Sequence, residues 1–171
     1  MNEPSISQAI HHLASLDILI IAAAGNDGPS QGSVLSPADH PAVWSVGALG
    51  SQGQPLSSSS RGYRSHGIQR LVPEFWMKGY KIPVLSVNGE CHLVSGTSIA
   101  APLLAGLVVL MKQKEGVTTP GALRCRLHGS CVFPKEVQIP TSDYPYFGSA
   151  MCFYLVLFTL VRRRAQCYMY L

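Results

Sequence analysis

Apolar residues along the chain fall into blocks of two kinds. Ile6, Ala9, Ile10, Leu13 and Leu16 recur every three or four positions, which predicts a helix over residues 5–16. Ser5 or Ser7 caps it and Asp17 ends it. The next block, ILIIAAAGN at 18–26, is continuous and stops at a turn, the pattern of a strand buried on both faces in a parallel sheet. VWSVGAL at 43–49 repeats that pattern, and the Gly-, Pro-, Ser- and Asp-rich stretch between the two reads as a loop. IPVLSV at 82–87 and CHLV at 91–94 flank Asn88-Gly89 and predict a hairpin.

From 98 to 112 every side chain is small or aliphatic until Lys112, so a helix apolar all round is expected to run through the core. Pro102 sits near its start, where a missing N–H costs little. Thr119-Pro120 opens a further helix over 121–127. Residues 50–62 are turn-rich, and most of Ser57–Ser60 read as a flexible surface loop. Residues 68–80 show no clear period. Buried strands alternating with helices give an α/β class with a mostly parallel sheet.

Composition narrows the function classes. A chain of 171 residues with 47% hydrophobic and 13% charged side chains can bury one ordinary core. The net charge of +4 is mild, and Arg162, Arg163 and Arg164 cluster at one end, so nucleic-acid binding is not expected. The five cysteines include no C-x-x-C, which argues against zinc and dithiol chemistry. Cys125 and Cys131 either pair in an oxidising compartment or, as we expect, are buried small hydrophobes. No oxygen-ligand cluster has calcium spacing, and no metal or cofactor is expected. Residues 1–5 do not read as a signal peptide, which leaves the localisation open. The apolar run 151–161 is too short to span a membrane by itself; a buried element or an unstructured tail is expected there.

Two segments carry candidate chemistry. AAAGNDGP at 22–29 ends a buried strand, and SGTSIAAP at 95–102 opens a buried helix. Sites on open α/β sheets gather at the carboxyl ends of strands. Acyl transfer needs an oxygen nucleophile and donors for the developing oxyanion. Ser98 offers the hydroxyl and its own N–H at a helix N-terminus, and Asn26 offers a side-chain amide. Gly25 and Gly96 permit close approach of a substrate backbone. Asp27 reads as a turn residue, with a rim of a specificity pocket as the alternative.

These two segments resemble those of the subtilisin-like serine proteases. SPADHPAVWSVGAL resembles the strand that follows that family's oxyanion loop, SSSSRG its F-S-S-x-G turn, and LVPEF its V-K-P-D segment with Glu74 for the aspartate. The resemblance implies Ser98 as nucleophile and Asn26 as oxyanion donor. It implies Ala23, Ala24 and Gly25 as pocket lining, and Thr97 as a contact supporting the oxyanion. It implies a partial three-layer fold whose central helix starts at Ser98, and a polypeptide as substrate. On this view residues 1–127 are the C-terminal portion of the catalytic domain, and residues 128–171 an irregular segment with an apolar tail. GNDGP, PAD, SSRG and Cys91 are closest to a membrane-anchored branch of the secretory pathway, the only pointer to location or membrane association.

The sequence also departs from the family. Neither the D-T/S-G motif of the triad aspartate nor the H-G-T motif of the triad histidine is present, nor is the substrate-binding S-x-G strand. None of His11, His12, His40, His66, His92 and His128 has the right context. The resemblance therefore implies a serine endopeptidase present as an incomplete catalytic domain. The alternatives are a relic that binds peptides without cutting them and an esterase of another fold. The esterase lacks support, because Gly96-x-Ser98 is followed by Ile-Ala and not by a glycine elbow.

Overall fold

The computed structural model describes residues 4–63, 71–116 and 119–129. Helix α1 (Pro4–Ser15) leads through a left-handed Asp17, φ 56°, into strand β1 (Ile20–Ala23). The expected helix end at Asp17 is therefore correct. The N–H groups of Leu16, Asp17 and Ile18 close the last turn onto Leu13 and Ala14.

Strand β2 (Val43–Leu49) follows the long loop. After it come β3 (Gly62–Tyr63), β4 (Leu71–Val72), β5 (Phe75–Lys78), β6 (Ile82–Leu85) and β7 (Cys91–Val94). Helices α2 (Thr97–Glu115) and α3 (Pro120–Gly129) complete the described chain.

The central sheet has the order β1-β2-β5 and is parallel throughout. Ile20 pairs with Val43 across the first ladder and Val46 with Phe75 across the second. Every residue of β2 is buried, as a strand flanked on both edges and covered on both faces requires. Among the described residues no strand pairs with the outer edge of β1, whose four residues are all half-buried. β3–β4 and β6–β7 are separate antiparallel pairs, the second being the hairpin expected around Asn88-Gly89.

Alternation on β2 sends Trp44, Val46 and Ala48 toward α2. They meet Phe75 and Met77 of β5 and Ala100, Leu104, Leu107, Val108 and Met111 of α2. Leu123 and Leu127 of α3 close this core. Thr119 caps α3 as expected, its Oγ1 accepting from the Ala122 N–H at 3.3 Å. α3 is also held by Arg124, whose Nη2 donates to Glu74 Oε2 at 3.1 Å. Arg124 Nε lies 2.9 Å from Glu74 Oε1 but out of line for a second hydrogen bond.

Four expectations are corrected. The helix apolar all round is α2, yet it is not buried all round: Val109 and Leu110 are 54% and 43% exposed. The three described parallel strands cover one face of it, and among the described residues no second sheet covers the other. It also starts at Thr97 rather than Ser98. The surface loop expected for most of Ser57–Ser60 holds for Ser57 and Ser58 only, because Ser59 and Ser60 are both 0% exposed. Cys125 is exposed on α3 and not a buried hydrophobe, while Cys131 lies outside the described residues.

The apolar run 151–161 also lies outside the described residues. Among the described residues no helix is long and apolar enough to cross a membrane. No group of three potential metal ligands occurs among them either.

Candidate active site

Two chain breaks meet at the carboxyl end of the sheet. The ladder of β1 continues one residue past the strand, with the Ala24 N–H donating to Val46 O at 2.9 Å. Gly25 then turns the chain at φ 110°, a value side chains rarely adopt. A Cβ there would lie 2.8 Å from Leu35 Cγ and 2.9 Å from Ser60 Oγ, so glycine is required twice over. The second break follows β7. Gly96, at φ 145°, donates its N–H to Gly79 O at 2.8 Å and starts α2 without any side-chain cap.

Thr97 joins the two breaks. Its N–H and its hydroxyl both donate to Asn26 Oδ1, at 3.0 and 3.2 Å. The same Oγ1 accepts from the Gly25 N–H at 3.2 Å. Because Oδ1 accepts twice from Thr97, the amide orientation of Asn26 is fixed by its partners. Its Nδ2 is left without an acceptor among the described residues, on an exposed side chain. Thr97 itself is buried.

Ser98 follows directly, exposed in the first turn of α2. The N–H groups of a first helical turn have no intrahelical acceptor. The Ile99 and Ala100 N–H groups both bond Gly96 O, and that of Thr97 is taken by Asn26. The Ser98 N–H therefore stays available at the positive end of the helix. An exposed hydroxyl, a free backbone donor and a free amide donor thus sit on two adjoining turns.

Other expected residues are placed as follows. Ala24 and Gly25 are buried and Ala23 is half-buried. Asp27 is exposed and donates its N–H to Ser60 Oγ at 3.0 Å. His92 is an exposed β7 residue, 3.5 Å from Glu90. His40 is buried, and its Nδ1 accepts from the Ala42 N–H at 3.1 Å. His11 stands edge-on to His40 with centroids 4.8 Å apart. Among the described residues no histidine bonds Ser98; the side chains of His66 and His128 fall outside them.

Sequence reasoning missed Ser59 and Ser60 as contributors to this region. The signal lay in the resemblance of SSSSRG to a family turn, since a turn kept polar against a glycine-rich loop has backbone groups to satisfy.

Gly96→Ala tests the junction. It places a residue at a φ that favours glycine and a Cβ 3.3 Å from Asn26 Oδ1. The expected cost is about 1–3 kcal/mol of stability, read as a lower urea midpoint.

An exposed serine hydroxyl beside two unengaged N–H donors at the carboxyl end of an α/β sheet is a grouping suited to acyl transfer. The subtilase family model matches residues 1–135, and the chain belongs to that family of serine proteases. It is 31% identical over 137 residues to human membrane-bound transcription factor site-1 protease, covering 76% of this chain and 13% of that one. It is 33% identical over 108 residues to the subtilisin-like protease SBT6.1 of Arabidopsis thaliana, covering 61% and 10%. Among solved structures, sphericase superposes with a TM-score of 0.68 at 31% identity, over 77% of this chain and 45% of that one. The chain thus spans about half of that solved protease and about a tenth of those curated relatives.

Proposed function

We propose that this chain carries the nucleophile and oxyanion portion of a subtilisin-like serine endopeptidase. The observation that carries the reading is the Thr97–Asn26 pair: Oδ1 takes both Thr97 donors, which leaves the Asn26 Nδ2 unengaged against the residue that precedes Ser98. Ser98 Oγ attacks a peptide carbonyl and forms an acyl-enzyme as the amine departs; water then releases the acid. Asn26 Nδ2 and the Ser98 N–H hold the oxyanion of each tetrahedral intermediate. The half-buried Ala23 and the backbone of Ala24 and Gly25 line the substrate side, and Thr97 keeps Asn26 oriented. The hydroxyl proton must pass to a base, and the family's histidine motif is not in these residues. By itself the chain is therefore a weak or inactive protease, slower than an intact triad by about 10⁶-fold.

Intact-mass analysis and peptide mapping after fluorophosphonate treatment test this. Slow but selective modification of Ser98 over the other serines is the expected result. Modification at a rate typical of an intact triad would refute the missing base, and modification spread evenly over surface serines would refute the site. The absence of a described histidine on Ser98 favours a second reading, a relic that only binds peptides. Peptide binding by the Ser98→Ala chain, together with no modification of Ser98 in the parent, would select it.

A further inference from the structure

Asn26 is the residue whose position sets the oxyanion donor, and its own backbone takes part in no hydrogen bond among the described residues. Its neighbours on both sides are bonded to one turn. The Ser60 N–H donates to Gly25 O at 2.9 Å, and Ser60 Oγ accepts from the Asp27 N–H at 3.0 Å. The Gly28 N–H donates to Ser58 O at 2.9 Å.

The turn is itself braced. Ser59 Oγ accepts from the Ala48 N–H of β2 at 3.1 Å. Arg61 Nη2 reaches Leu56 O at 2.9 Å, and the Arg61 N–H reaches Ser33 Oγ at 3.1 Å. A fully buried hydroxyl that straddles Asn26, on a turn anchored to the central strand, has the placement of a support rather than a filler.

We propose that Ser60 is a positioning residue for the oxyanion donor: its N–H and hydroxyl hold Gly25 and Asp27, and so hold the Asn26 amide beside Ser98. This rests on the reading of Asn26 given above. Thr97 fixes which way the amide faces, and Ser60 fixes where the loop that carries it stands. Ser60→Ala keeps the backbone bond to Gly25 and removes only the acceptor for Asp27. Misplacing a catalytic group by a fraction of an ångström costs about tenfold in rate.

The test uses the full chain and four variants. Ser60→Ala is expected to slow phosphonylation of Ser98 about tenfold. Ser59→Ala, equally buried but bonded to Ala48 and not to the loop, is expected to lower the urea midpoint similarly and leave the rate within about twofold. In the Asn26→Ala background Ser60→Ala is expected to add nothing, because the donor it positions is gone. A Ser60 effect that survives in that background, or an equal effect of Ser59→Ala, overturns the proposal. If Asn26→Ala has no effect while Ser98 is modified, the oxyanion reading fails instead.

The NMR signal of the Asn26 side-chain amide gives a reading independent of reactivity. Ser60→Ala is expected to shift it and to speed hydrogen exchange at the Asp27 N–H, and Ser59→Ala to do neither. An Asn26 signal unmoved by Ser60→Ala also overturns the proposal.

Discussion

Asn26→Ala should slow modification of Ser98 by a fluorophosphonate about 10²–10³-fold, a magnitude known from subtilisin itself. The physical reason is the free Nδ2. Charge develops on the oxygen only as the serine attacks, so a donor held in place beforehand acts mainly on the transition state. Asn26→Asp is the sharper variant. It keeps an acceptor for the Thr97 N–H and hydroxyl, the two bonds at 3.0 and 3.2 Å, and replaces the outward donor with negative charge. Its rate should fall at least as far while the urea midpoint changes less than in the alanine variant. Rates of both variants within twofold of the parent would remove Asn26 from the mechanism.

The largest effect on stability is expected at Phe75, which is 1% exposed and stacks at a tilt on Trp44 with centroids 4.9 Å apart. Phe75→Ala removes a ring from the seam of β2, β5 and α2 and should cost about 3–5 kcal/mol. Domains of this kind hold about 5–15 kcal/mol in total, so a large part of the folded population is at stake. Urea denaturation followed by tryptophan fluorescence measures it. Leu93→Ala, two-thirds exposed on the hairpin, should stay within about 0.5 kcal/mol and serves as the comparison. A Phe75 variant as stable as the Leu93 variant would mean that β5 is not part of the core.

Phe75 also shows where sequence reading stopped. β2 was legible because seven successive residues are uncharged and a strand buried on both faces needs just that. The hairpin of β6 and β7 was legible from Asn88-Gly89, and α3 from Thr119-Pro120. β5 was not: FWMK is four residues long, follows Pro73 and ends in a lysine, so it has neither alternation nor length. Its identity comes from pairing with β2, a relation between distant residues that no local period expresses.

The two segments that carry Asn26 and Ser98 stood out in the sequence through their motifs, and the Thr97–Asn26 bonds bring those segments together. The role of Thr97 in orienting the amide needed the distances. Ser59 and Ser60 read as loop because serine is ordinarily exposed; here long-range backbone donors at Ala48 and Asp27 pay for their burial. The exposed side of α2 was invisible for a related reason. An all-apolar helix states that it can be covered all round, and only the number of strands beside it states how far it is.

The outer edge of β1 has a practical consequence. Among the described residues no strand covers it, and its half-buried sequence IIAA carries no proline or charge to discourage another chain. Two copies related by a twofold axis would meet there antiparallel, joining their sheets edge to edge. Light scattering by a solution of this chain is therefore expected to rise with concentration and with standing time, and a freshly diluted sample is the proper starting point for every rate proposed above.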